Sequence, residues 1–347
     1  MTKPACHRPS RDPRLLALCA AVSLTAGAAR GQLVPDRTYC GIGRPIPMTA
    51  GVPADLKVSG EATITLFARG SADPKGTAPV APGRVDLAEK FPSLWATTTP
   101  RTGRDVLYAQ LIVGQQRIGP PVVLQPMVEP DTCVYIDERG EPQYRPSRGF
   151  YSGLRAYTDK QVVMETTFGT IQFQMRPDQA PNTAWNFMDL VRGGFYTDIS
   201  LHRIVAVNES NQMPFVIQGG DPNFGHSSAG VGEGGPGYQI DLEKSNLLHA
   251  FGVISMARSM KAPNSAGSQF FICLSREGTS HLDGQFTAFG QAVAGADVIQ
   301  KISTVTTDKE GHPNEPVVIK SCRLVDAPPY GEGPDPVTPP VPPPVKR

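Results

Sequence analysis

The run from 255 to 290, SMARSMKAPNSAGSQFFICLSREGTSHLDGQFTAFG, constrains the fold more than any other stretch of the chain. Ser255 to Ala257 closes one strand, a Pro/Asn/Gly/Ser loop follows, and Gln269 to Leu274 forms another strand. Successive strand side chains alternate, so Gln269 and Phe271 share one face while Phe270 and Ile272 take the other. One surface thus carries an amide and an aromatic ring, beside a loop ending in His281 and Leu282. Such a surface suits a peptide backbone and one small apolar ring. Taken alone, the run equally fits a strand buried on both faces with a satisfied glutamine.

The rest of the chain narrows the choice. Its 347 residues exceed one ordinary domain and point to two. A hydrophobic content of 39% and a charged content of 19% suit a globular chain. The formal net charge of +1 argues against nucleic acid as a partner. Pro 35 and Gly 35 favour short strands, turns and an unstructured tail over helical bundles.

Residues 1–31 read as an export signal. His7, Arg8, Arg11 and Arg14 precede an apolar run from Leu15 to Ala29, too short for a comfortable span, and Ala26-Gly27-Ala28-Ala29 offers a cleavage site. The expected location is exported, periplasmic or extracellular, with no membrane span after signal removal. Cys6 and Cys19 leave with the signal, and in an oxidising compartment Cys40 and Cys133 are the pair expected to form a disulfide. Cys273 reads as a small buried hydrophobe. No cluster has metal-ligand spacing, and no cofactor is called for.

Residues 32–137 read as a small β-sandwich-like domain. Strands are expected over 61–68, 106–113 and 133–136, and the segment 117–125, interrupted by Pro120 and Pro121, suits a sheet edge. Residues 138–157 read as a linker. The second domain, 158–326, opens with strands at 161–167 and 170–175. A helix begins at Pro181, with Ala184, Phe187, Met188 and Val191 on one face, and ends at Gly193-Gly194. A glycine-rich loop holds Gly230, Gly232 and Gly235 in a formal G-x-G-x-x-G, but no helix follows to receive a pyrophosphate, so it is only a loop. A second helix is expected at 296–302 and a closing strand at 317–324. Residues 327–347 form a Pro-rich tail expected to be disordered.

Several segments now occur in a recognisable order: METTFGTIQF (164–173), APNTAWNF (180–187), LHR (201–203), FVIQGGD (215–221), ISMA (254–257), NSAGSQFFI (264–272) and HLDGQFTAFG (281–290). Together they resemble the cyclophilin-type peptidyl-prolyl cis–trans isomerases. The resemblance implies a mainly β fold, an eight-stranded antiparallel barrel capped by two helices, following the smaller β domain. It places the family's catalytic arginine on Arg203 and its glutamine partner on Gln218. The proline pocket falls on Phe215, Val216, Met256, Phe271, Leu282 and Phe286, and the groove for the preceding peptide on Gln269, Ala257 and the backbone of Arg258.

His281 stands where many members carry tryptophan, which implies weakened cyclosporin-type inhibition; inhibition as tight as in tryptophan-bearing members would refute this. About seven extra residues separate Arg203 from Phe215, so residues 205–214 must loop out if their strands are to pair. The expected substrates are proline-containing segments of exported proteins, turned over by a monomer. The alternative is a non-catalytic proline-peptide-binding module whose partner is chosen by the N-terminal β domain.

Overall fold

The computed structural model describes residues 31–52, 60–95, 105–207, 210, 212–223 and 232–340. The export-signal reading of residues 1–31, with Cys6 and Cys19, lies outside them except for Gly31, as do residues 341–347.

Nine strand segments of the second domain form one antiparallel sheet. Its order is Ile199–Ser200, Val318–Asp326, Lys160–Thr166, Gly169–Met175, Ala288–Ala294, Val253–Met256, Phe270–Cys273, Val216–Gly219 and Arg203–Val205. The two outermost segments are consecutive in the chain, separated only by Leu201 and His202. They are one strand, broken where it changes partner, and the break joins the ends of the sheet into a barrel. The interior is filled by Met164, Ile171, Phe173, Ile254, Phe270, Ile272 and Phe289, all buried. The helix Pro181–Arg192 lays Ala184, Phe187, Met188 and Val191 on that core, as its periodicity predicts. The helix Ala296–Ser303 adds Val298, Ile299 and Ile302.

The N-terminal region holds a six-stranded sheet, in the order Tyr39–Gly41, Tyr151–Thr158, Gln116–Val128, Leu107–Val113, Ala62–Ala68 and Pro74–Pro79. A three-stranded sheet, Gln32–Pro35, Pro47–Gly51 and Gly83–Asp86, accompanies it. Leu33, Ile46 and Met48 join Ile64, Leu66, Leu111, Val122 and Leu154 in one apolar cluster, the layered packing a sandwich needs.

Two expectations need correction here. Residues 138–157 are not a linker. Pro142–Arg145 pairs with Thr132–Ile136, and Tyr151–Thr158 lies inside the large sheet, with Leu154 and Ala156 buried. The strand carrying Pro120 and Pro121 is internal, not an edge. Its register shifts where Ala109 faces Val122 and Leu111 faces Ile118. Across that irregularity the buried Gln110 Nε2 donates to the carbonyls of Leu111, Ile118 and Gly119. A bulge with a side-chain amide bridging it tolerates the missing proline N–H groups.

The two domains share a continuous apolar seam. Tyr108, Val123 and Tyr157 belong to the same buried cluster as Val162, Phe173 and Phe187. The ring of Tyr157 lies 4.8 Å from that of Trp185, and the Arg155 guanidinium lies 4.8 Å from the centre of Trp185. Only Asp159 separates the last strand of the first domain from the first strand of the barrel.

The tail is ordered through residue 340, contrary to the composition-based expectation. The buried Tyr330 ring stacks on Phe67 at 4.6 Å, its amide donates to Gln110 Oε1 at 2.8 Å, and its hydroxyl donates to the carbonyls of Ala68 and Ser71. Val337 N donates to Ala292 O at 2.9 Å, so the same segment also touches the barrel. A proline-rich chain loses little entropy on docking, and one anchored aromatic ring suffices to hold it. Tyr330→Phe should lower unfolding free energy by about 1 kcal/mol, the usual net value of a hydrogen bond. An unchanged denaturation midpoint would show that the hydroxyl contacts contribute nothing.

All four described cysteines are free. The expected Cys40–Cys133 disulfide is therefore not formed. Cys40 is packed in the N-terminal core and paired across from Leu154. Cys133 belongs to the separate hairpin of residues 132–145, where its Sγ donates to Tyr135 O.

Candidate active site

Three adjacent barrel strands build the site. Arg203–Val205 pairs with Val216–Gly219 in the register Arg203 to Gln218, and Gln218 in turn lies opposite Phe271 on Phe270–Cys273. The insert at 205–214 leaves this register intact, because Val205 still faces Val216. The strand Val216–Gly219 can turn sharply at its end only with glycine. Gly220 has φ +89°, and a Cβ there would sit 2.5 Å from Ser268 O.

A relay of amides leads away from the arginine. Arg203 Nη1 donates to Gln218 Oε1 at 3.5 Å, and Gln218 Nε2 donates to Gln269 Oε1 at 3.1 Å. Gln269 Nε2 donates to the carbonyls of Gly232 and Gly234 at 2.7 and 2.8 Å. The loop is held from its other side by Asp221, whose carboxylate accepts from the amides of Asn223 and Gly232. Burial moves the Arg203 pKa below the ordinary arginine value, and no carboxylate pairs with it among the described residues. The guanidinium is thus oriented by a neutral amide and keeps donors to spare.

Val216, Phe271 and Leu282 form one buried apolar cluster, with Phe215, Ala257 and Phe286 packed against it part-exposed. The rings of Phe271 and Phe286 meet edge to face, 5.6 Å apart at 81°. His281, itself exposed, stacks on Phe215 at 5.7 Å and 17°. Phe215, Val216, Ala257, Phe271, His281, Leu282 and Phe286 therefore lie together. Met256 is not among them. It is 2% exposed and belongs to the barrel interior, because strand alternation turns it away from the side that Ala257 and Ser255 face.

A cavity of about 460 Å³ opens beside the relay, lined by Gln218, Gln269, Ala257, Arg258, Ser259 and Tyr238 among others. On the far side of Arg203, the insert and the turn at 307–311 bound a second cavity of about 530 Å³. Residues 208, 209 and 211 of the insert lie outside the described residues.

Sequence reasoning missed one constellation. His249 Nδ1 lies 2.9 Å from Asp283 Oδ1, and its Nε2 lies 2.9 Å from Ser255 Oγ. This resembles the arrangement that activates a serine nucleophile, but Ser255 is 0% exposed and no acyl group can reach it. Burial lowers the His249 pKa against the opposing pull of Asp283, which favours the neutral ring. Asp283 then accepts from Nδ1–H, and Ser255 donates to Nε2. The imidazole is nearly parallel to Phe271 at 6.0 Å, so the triad backs the slot.

Ser255→Ala would strand a buried nitrogen at about 1–3 kcal/mol. The expected result is a lower denaturation midpoint at neutral pH; an unchanged midpoint would count against this supporting role. The three residues span positions 249 to 283, and no local pattern ties them together.

A family model described as "Cyclophilin type peptidyl-prolyl cis-trans isomerase/CLD" matches residues 161–324. The chain belongs to the cyclophilin-type peptidyl-prolyl cis–trans isomerases, and its barrel domain is an isomerase of that family. It is 42% identical over 131 residues to a peptidyl-prolyl cis-trans isomerase of Synechococcus elongatus, a match covering 38% of this chain and 79% of the relative. It is 34% identical over 166 residues to the peptidyl-prolyl cis-trans isomerase CYP18-2 of Arabidopsis thaliana, covering 48% and 94%. A longer protein of Rhizopus delemar, peptidyl-prolyl cis-trans isomerase-like 2, is 37% identical over 164 residues, but the match covers 46% of this chain and only 28% of that one.

Proposed function

We propose that Arg203 drives rotation about X–Pro bonds held in the slot of Phe215, Val216, Phe271, Leu282 and Phe286, and that the clients are exported proteins in the course of folding. The observation that carries the catalytic reading is the relay from Arg203 through Gln218 to Gln269, anchored on two loop carbonyls beside an apolar cluster.

The X–Pro amide resists rotation by about 18–20 kcal/mol through its partial double bond. On twisting, conjugation is lost, and the proline nitrogen gains a lone pair that the planar amide lacks. A cationic donor aimed at that nitrogen binds the twisted state better than the planar one, which is what lowers a barrier. Arg203 suits this role because Gln218 fixes its orientation while leaving N–H groups unused. No bond to the enzyme forms and no proton need move, so a buried Ser–His–Asp triad has no part in the step.

One charged hydrogen bond contributes about 1.5–3 kcal/mol. A millionfold acceleration needs about 8 kcal/mol. The remainder must come from the slot, which holds the ring still, keeps water from the amide and lets the acyl side turn. Gln269 and the backbone of Ala257 and Arg258 would hold the chain preceding proline in the adjoining cavity.

Export rests on the basic residues and apolar run of the first 31 residues. N-terminal sequencing of protein from the source cells tests it: a start near residue 32 supports the proposal, and a retained Met1 in mature protein rejects it. The catalytic reading is tested by proline-peptide isomerisation with the full chain beside Arg203→Ala.

A further inference from the structure

Arg258 is held at the rim of the slot in an unusual state. Its Cζ lies 4.4 Å from the centre of the Phe286 ring, and Phe286 in turn packs on Phe271. Nε donates to Gln285 O at 2.9 Å and Nη1 to Ser259 O at 2.8 Å. Nη2 is buried and has no hydrogen-bond partner among the described residues. Two carbonyls and a ring orient the guanidinium, and among the described residues no carboxylate forms an ion pair with it. Asp283, in the same loop as Gln285, is committed to Arg276 and His249. Glu233 lines the adjoining cavity without forming an ion pair with Arg258.

The N-terminal domain holds this rim in place. Its hairpin of residues 132–145 reaches the barrel on both sides of Arg258. Asn264 Nδ2 donates to Cys133 O at 2.8 Å, and Tyr144 OH donates to Gly284 O at 3.0 Å. The hairpin thus grips the 264 loop and the 284 turn, between which Arg258 lies. Lys244, over the Tyr144 ring at 5.6 Å, adds a second positive charge on the same flank. The rim therefore presents fixed positive charge within one ring of the proline slot.

We propose that Arg258 selects substrates, favouring peptides that carry a carboxylate within two residues of the X–Pro pair. This rests on the slot being the X–Pro site. A fixed, uncompensated guanidinium loses no side-chain entropy on meeting a carboxylate, and at such separations salt screens the attraction only partly. Arg258 is a specificity residue, since it faces neighbouring side chains and not the rotating bond.

The test measures kcat/KM, and Kd by calorimetry, with full chain and X–Pro peptides bearing Glu, Gln or Lys at each position within two residues of proline. At one position or more, Glu should exceed Lys by about fivefold or more, the scale of a single part-exposed ion pair. The ratio should shrink as salt rises. Arg258→Gln should bring it near one, Arg258→Lys should restore part of it, and Arg258→Glu should reverse it. A ratio near one at every position in the wild type overturns the proposal, as does a preference that survives Arg258→Gln. If no peptide binds or turns over, the slot itself has been misassigned, and the selectivity fails with it.

Discussion

Arg203→Ala in the full chain is expected to lower kcat/KM for an X–Pro peptide by between about ten- and a hundredfold. The estimate is the worth of one charged hydrogen bond, about 1.5–3 kcal/mol, at 1.36 kcal/mol per decade. Most of the loss should fall on kcat, because the nitrogen that Arg203 addresses becomes an acceptor only in the twisted amide. Arg203→Lys keeps the charge but loses the flat fork that Gln218 orients, so it should fall between alanine and the wild type. Stability should change little, since the strand pairing of Arg203 with Gln218 is a backbone property. Isomerase activity that alanine leaves unreduced would remove Arg203 from the mechanism. A protein that binds such peptides but never accelerates their exchange would be the non-catalytic module instead.

The second large effect concerns the junction between the domains. Burial pushes the Asp159 carboxyl up to about 7, with Arg69 and the Lys160 amide opposing only in part. The unfolded chain releases that proton near pH 4. Between about pH 4 and 7 the folded protein therefore binds more protons than the unfolded one, and stability falls as pH rises through that window. Three pKa units correspond to at most roughly 4 kcal/mol.

Asp159→Asn removes the titration while its side-chain oxygen can still accept from the Lys160 amide. Relative to the wild type, the variant should gain Tm steadily from pH 4 to pH 8. Parallel Tm profiles would show that Asp159 ionises freely. His249 works in the opposite direction. Its lowered pKa makes the folded state resist a proton that the unfolded chain accepts, so its contribution is present above about pH 6.5 and lost as pH falls below that. Where their windows overlap, below about pH 6.5, the two contributions oppose one another.

Much of the barrel was legible because its signals are local. Ala184, Phe187, Met188 and Val191 announce a helix by spacing, and Gln269 and Phe271 share a face by alternation. The motif order then placed Arg203 and Gln218 together, and the paired strands do so. What escaped is non-local. The strand Tyr151–Thr158 follows a stretch rich in charge, proline and glycine, and only its position between two other strands reveals why Leu154 and Ala156 are apolar and buried. Tyr330 is one aromatic ring in a Pro-rich tail, and nothing near it in sequence indicates that Phe67 and Gln110 are waiting. Met256 was drawn into the slot by its neighbours in the motif, although alternation alone assigns it to the interior.

Joining the two halves of the broken strand at Leu201 and His202 has one more consequence. Under the proposed role on folding chains, the enzyme would work among polypeptides with unmatched backbone groups, and any open β ribbon would invite them to stack on. The closed barrel offers none. In the neighbouring sheet, one outer strand is three residues long, and the other, Pro74–Pro79, begins and ends in proline and carries Lys75. Under that proposal, unfolded chains would be turned one bond at a time without nucleating an aggregate on the barrel itself.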